Sequence, residues 1–279
     1  MLKLSRVVPH GWKFVYPDIY DDLIPQFHAG CESYEEGDPD EADRIFRLVL
    51  TQMPDHLDAL HHLAMILSER SLTDQSHDLW SQAVRIGHKA FPQNFEQGRE
   101  RLEWALLENR PFLRCLHGLA LTRYDAGEVE DALSLFQELL SLNPNDNQGV
   151  RALAQNALFK LGRFEDALGV AEQYPNDIMP ETLYGRALAL FKLGRRQEAT
   201  VALREAIEYL PLIGKDLLKT RHRLPKTARL DRVTAGGADE AYYYWEQSGR
   251  FWEEDAEALE WLREIMKQVA SKTQRRKHR

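Results

Sequence analysis

The chain has 279 residues, of which 43% are hydrophobic and 29% charged, with a formal net charge of -8. Those proportions exclude a disordered chain, and the negative balance argues against nucleic acid as the principal partner of the whole molecule. Two cysteines, Cys31 and Cys115, exclude a disulfide framework and an all-cysteine zinc site.

In chain order, residues 1–22 form an N-terminal extension. Its opening, MLKLSRVVPHGWKF, lacks an apolar stretch followed by a cleavage site, and no apolar run reaches the ~18 residues of a membrane helix. A cytoplasmic protein without a membrane segment is expected. From Gly37 a ruler then recurs: a glycine, a small residue five later, a large one nine later and a proline seventeen later. It fits Gly37, Ala42, Phe46 and Pro54, then Gly127, Ala132, Phe136 and Pro144, then Gly194, Ala199, Leu203 and Pro211. The glycine ends one helix in a left-handed conformation, and the proline stops the next. The small residue lets two antiparallel helices approach, and the large one fills space between hairpins. The unit is therefore a helix–turn–helix of about 34 residues of tetratricopeptide type.

Five units are expected. The first is Leu23–Asp55. The second, Leu57–Ala90, is degenerate, with Ser71 and Ser76 at the glycine and alanine positions, so repeats one and two fill 23–90. An insertion at 91–112 follows, with a short helix predicted over Arg99–Glu108 that docks through Trp104, Leu106 and Leu107. Repeats three to five fill 113–211 as Leu113–Asp146, Gln148–Asn176 and Pro180–Pro211. In the fourth, Pro175 comes only thirteen after Gly162, so its second helix should be about one turn short. A helical C-terminal cap fills 212–268, with two helices around Ser248-Gly249, and a basic tail fills 269–279. The predicted fold is all-α: a right-handed superhelical solenoid of about five hairpins with a helical cap over its last apolar face.

Beyond the generic repeat, the early proline and the layout after the repeats resemble the suppressor-of-tumorigenicity-7 family and related bacterial tetratricopeptide proteins. The likeness rests on Tyr174, Pro180, Pro211, Leu217, Leu218, Pro225, Gly237, Glu240, Ala241, Tyr243, Trp252, Ala258, Leu259 and Leu262. It implies membrane association, as in the animal members, and brings no catalytic residues.

No phosphate loop, HExxH, GxSxG or paired CxxC occurs in the sequence. His56 and His61 are five apart, about 140° around a helix, which is poor metal-ligand spacing. Cys115 and His117 point to nearly opposite sides of one helix, so they do not form a nucleophile–base pair. No enzyme activity, cofactor or metal is expected.

The first helices of such hairpins line an inner groove. Its predicted lining includes Arg114, His117, Leu121 and Tyr124, then Asn156 and Phe159, then Tyr184 and Phe191, with Lys160 and Lys192 at the rim. Asn156 offers donors and an acceptor for a peptide backbone, and the rings supply contact area. Tyr124, Phe159 and Phe191 equally suit packing between hairpins. The expected partner is a protein or peptide segment with acidic flanks. A chaperone C-terminal peptide is disfavoured because the fifth position of each unit (Phe27, His61, His117, Ala152, Tyr184) is never lysine.

Charge is unevenly spread. Glu32–Asp43 carries seven acids and no base, and Lys215–Arg232 seven bases and two acids. The alternative function is therefore RNA binding through Lys215, Lys219, Arg221, Arg223, Lys226, Arg229 and Arg232, with the tail residues Lys272, Arg275, Arg276, Lys277 and Arg279. The same segment also complements the acidic run of its own chain or of a second copy in a homo-oligomer.

Overall fold

A computed structural model describes residues 2–229 and 232–277, the last six of these by backbone alone. The described residues contain fourteen α-helices and one two-stranded sheet. They form two compact units, residues 1–150 and 151–279.

The first unit opens with a hairpin absent from the sequence-based expectation. Strand β1 (Lys3–Val8) pairs antiparallel with β2 (Gly11–Val15). In β2 the alternation of Trp12 and Phe14 with Lys13 puts two aromatics into the core and leaves the lysine partly exposed. Three helical hairpins follow: α1 (Ile19–Glu35) with α2 (Pro39–Gln52), α3 (Leu57–Glu69) with α4 (Thr73–Lys89), and α5 (Arg110–Asp125) with α6 (Val129–Leu142). Gly37 and Gly127 turn the first and third at φ 85° and 83°; in the degenerate second, Ser71 takes the same left-handed conformation at φ 60°. The small residues beyond these turns, Ala42, Ser76 and Ala132, are wholly buried. The large residues seat over glycines of first helices: a Cβ on Gly30 would meet Phe46 at 2.7 Å, and one on Gly118 would meet Trp80 at 2.4 Å.

The helix predicted over Arg99–Glu108 does not form. Its backbone is claimed from outside: Arg101 N–H donates to His10 O (2.7 Å), Trp12 N–H donates to Arg101 O (2.9 Å), and Leu102 N–H donates to Leu142 O (2.8 Å). A peptide group paired to β2 and to the end of α6 cannot also serve an i,i−4 ladder. Only a 3-10 turn, Leu107–Asn109, remains, and Leu107 faces solvent while Leu102 is buried in its stead. Asn109 locks the insertion to the hairpin. Its Nδ2 donates to Trp12 O (3.0 Å) and Glu103 O (3.1 Å), and its Oδ1 accepts from Phe14 N–H (3.1 Å).

In the second unit, α7 (Val150–Lys160, whose first residue closes the preceding unit) pairs with α8 (Phe164–Gln173), and α9 (Pro180–Lys192) with α10 (Arg196–Tyr209). Helix α8 has ten residues against fourteen in α2, α6 and α10, the lost turn that Pro175 dictates. Ala167 and Ala199 are wholly buried. After α11 (Pro211–Leu217), a connection without helix or strand where it is described leads to α12 (Ala238–Ser248), the single turn α13 (Arg250–Glu253) and α14 (Ala256–Lys277). Instead of only two helices in this segment, the chain bends twice, at Gly249 and at Glu254-Asp255.

Candidate functional site

In the second unit the predicted groove residues meet the chain's own C-terminal helices. Asn156 on α7 is 5% exposed, and its Oδ1 accepts from the Ser248 hydroxyl at 2.9 Å. Phe159 is stacked on Phe251 with ring centres 5.3 Å apart, and Phe191 on Trp261 at 4.6 Å. Tyr184 on α9 is wholly buried against Tyr244 and Trp252. Its hydroxyl donates to Leu210 O (2.9 Å) and accepts from Gly214 N–H (3.1 Å), which ties α11 to α9. Burial pushes this phenol well above its ordinary range, so it stays protonated. Lys192 Nζ lies 2.7 Å from Asp255, and that hydrogen bond holds the Asp255 carboxyl below the usual carboxylate range.

The prediction of an open groove at Asn156, Phe159, Tyr184 and Lys192 is therefore corrected. The structure brings the four together, but around a ligand that the chain itself supplies. The physical reason is that a covalently attached apolar segment reaches an aromatic groove at high effective concentration. Lys160, at the end of α7, is exposed. Sequence reasoning took the ring-rich run YYYWEQSGRFWEE for part of a cap over the end of the stack, and did not place Ser248, Phe251, Trp252, Asp255 and Trp261 against the groove residues.

In the first unit, several inner positions of α1, α3 and α5 are only half-buried, among them Tyr34, His61, Arg114, His117 and Tyr124, while Phe27 and Asp58 are buried. Arg114 donates to the buried Asp58 at 3.0 Å and leans on the Trp104 ring. His61 Nδ1 accepts from Trp80 Nε1 at 3.2 Å, which puts the imidazole proton on Nε2. Burial, with smaller contributions from neighbouring cations, lowers the His61 pKa to about 3, so it is neutral at physiological pH. His117 has the Gln148 amide 3.3 Å from Nδ1; its Nε2 is buried without a partner among the described residues, and burial lowers its pKa. Tyr124 is half-buried, with its ring 6.0 Å from that of Phe136 on the hairpin partner helix. Tyr34 on α1 donates to Glu69.

Chemistry at this face is restrained. His56 caps α3, with Nδ1 accepting from Ala59 N–H at 3.1 Å, and stacks on Tyr20. Among the described residues no group of three His, Cys, Asp or Glu side chains is placed to hold a metal. Burial raises the Cys31 thiol to about 11 and that of Cys115 well above its ordinary value, so neither is a ready thiolate.

Lys215, Lys219, Arg221, Arg223, Lys226, Arg229 and Arg232 are all exposed. The side chains of Lys272, Arg275, Arg276, Lys277 and Arg279 lie outside the described residues. The acidic run is answered within its own unit, where Asp40 and Asp43 pair with Arg70 and Asp43 also with Arg47.

Hairpins with small residues at their crossings and aromatic inner positions define a tetratricopeptide-like helical repeat protein. Residues 21–279 match the family described as transcriptional repressor TCF25, and the chain belongs to that family. The expected membership of the suppressor-of-tumorigenicity-7 family is not supported by this match. The chain is 28% identical over 226 residues to the probable transcription factor claV of Ampulloclitocybe clavipes, a match covering 72% of this chain and 28% of that protein. The chain thus spans less than a third of this relative's length. Among solved structures it is similar to YrrB, described as a TPR protein with an unusual peptide-binding site (TM-score 0.51, 16% identity, 69% of this chain and 88% of that one). It is similar also to MamA (TM-score 0.51, 16% identity, 74% and 100%). These likenesses show the fold alone. No helix among the described residues is long and apolar enough to cross a membrane.

Proposed function

We propose that the chain is the helical-repeat part of a transcription-regulating protein and works without catalysis, by holding a segment of a partner protein against the first helices of repeats one to three. The observation that carries this reading is a contrast within one chain. The first-helix face of repeats four and five is covered by helices of its own, whereas Tyr34, His61, Met65, His117, Leu121 and Tyr124 on α1, α3 and α5 stay half-exposed. Rings and amphipathic side chains on a rigid scaffold give contact area at low entropic cost.

The family supports a role in transcription, and with it the nucleus in place of the cytoplasm. Because Asp58 already answers Arg114 and Asp255 answers Lys192, the partner segment meets chiefly apolar and aromatic groups, and acidic flanks are secondary. The test is affinity purification from nuclear extract with wild type and with His117→Ala plus Tyr124→Ala. Loss of a defined protein from the variant's eluate is the expected result. Identical recovery in both removes the assignment to this face.

A further inference from the structure

The exposed cations of residues 215–232 differ in one respect from most of the arginines between Arg44 and Arg204. Arg44, Arg47, Arg70, Arg123, Arg163 and Arg195 each hold a carboxylate. Lys215, Arg221, Arg223, Lys226 and Arg232 have no acidic partner among the described residues, and in a chain with more acids than bases such segregation is unusual. They sit on and beside the connection from α11 to α12, which is about twenty residues long and without helix or strand where it is described. Connections of that length inside a compact unit are uncommon and usually functional.

The connection is anchored where it carries charge. Asp216, 3% exposed, binds Lys219 and also His222 Nδ1 (3.0 Å), which directs the chain back onto α12. There the His222 ring lies parallel to Trp245, with centres 3.7 Å apart and planes within 1°. Tyr242 and Tyr243, also half-buried on α12, continue the series of rings. Two hydrogen bonds hold these rings in place, Trp245 Nε1 to Glu253 (2.7 Å) and the Tyr242 hydroxyl to Glu246 (3.2 Å). Arg221 and Arg223 therefore leave from either side of a residue fixed on an aromatic surface.

Unpaired cations beside fixed, partly exposed rings match one ligand chemistry: phosphates at a regular spacing with flat bases between them. We propose that the Lys215–Arg229 connection, with Tyr242 and Tyr243, is a binding site for single-stranded nucleic acid. The cations take the phosphates and the tyrosines take unstacked bases. A duplex offers phosphates but keeps its bases stacked, and an acidic peptide or polyphosphate offers charge without rings. The site is separate from the partner-binding face and does not depend on it.

The test is a titration of the full 279-residue chain by fluorescence anisotropy. The probes are oligo(U), oligo(dT) and a mixed-sequence duplex, each of about 15 nucleotides per strand, with inorganic polyphosphate as competitor. Neutralising four phosphates of a single strand, one each for Lys215, Arg221, Arg223 and Lys226, weakens binding about fiftyfold between about 50 and 200 mM salt. Arg221→Glu with Arg223→Glu should weaken both single strands by about tenfold or more and flatten the salt dependence. Tyr242→Ala should weaken single strands about tenfold while leaving polyphosphate competition against the wild-type probe unchanged. Preference for oligo(U) over oligo(dT), or the reverse, identifies the strand as RNA or DNA, and either supports the site. The proposal is overturned if wild type binds neither strand at low salt, or if the duplex binds as tightly as the single strands. It is also overturned if the folded double variant, checked by circular dichroism, binds like wild type. The salt dependence and the single-strand preference are read on wild type and decide the matter even if a variant fails to fold.

Discussion

The hydroxyl of Ser248 donates to Oδ1 of Asn156 across 2.9 Å, with both residues buried. This bond joins the start of the fourth repeat to the corner where the C-terminal helices bend. Replacing Asn156 by alanine strands the Ser248 hydroxyl away from water, which costs about 1–3 kcal/mol. Asn156→Ala should therefore lower the urea midpoint, and adding Ser248→Ala should recover part of the loss. A double variant as unstable as the sum of the singles would show that the bond is immaterial.

Asn109 is a second buried side-chain amide, and it holds three backbone groups of the hairpin and the insertion. Asn109→Leu leaves those groups without their partner, at a cost of roughly 1 kcal/mol or more for each. The β1–β2 hairpin should then become the first site of proteolysis and lose amide protection at Phe14. Unchanged hydrogen exchange at Phe14 would refute the locking role.

His61 makes the stability of the first unit depend on acid. Its folded pKa of about 3 lies below the ordinary histidine value, so the unfolded chain binds the proton more readily. The stabilisation is present above about pH 6.5 and declines as pH falls towards 3. His56 and His117, both lowered chiefly by burial, act in the same direction. Chemical denaturation at a series of pH values should show fewer protons taken up on unfolding by His61→Phe than by wild type. Equal pH slopes would contradict the assignment.

Ser71 is the only turn residue of the degenerate repeat that stands where the others have glycine, and it sits at φ 60°. A left-handed conformation costs a non-glycine residue roughly 1 kcal/mol. Ser71→Gly should raise stability by up to about that amount, less the greater entropy of the unfolded glycine chain. A lower thermal midpoint in the variant would mean that the turn is not strained.

The repeats were legible because their determinants are local and periodic. Gly127, Ala132 and Phe136 each do a task that fixed spacing reveals, and even the short α8 is written in Pro175. The hairpin and the insertion were not, because each is stabilised by the other from about ninety residues away. Arg99–Glu108 has helix-forming composition, yet its amides are better served by His10 and Leu142. The inner face was half legible. Spacing put Asn156, Phe159 and Tyr184 on the first helices of their repeats, but no local rule told that Phe251 and Trp252 would cover them. Nothing in the spacing of His61 revealed that Trp80, nineteen residues on, fixes its tautomer.

The packing of Phe251, Trp252 and Trp261 over the last two repeats has a kinetic side. Anything arriving from solution must compete with a rival already tethered in place at about millimolar local concentration, whatever its own affinity. Cleavage of the chain between α11 and α12 would turn that rival into a diffusible fragment. From then on, occupancy of repeats four and five would vary with dilution.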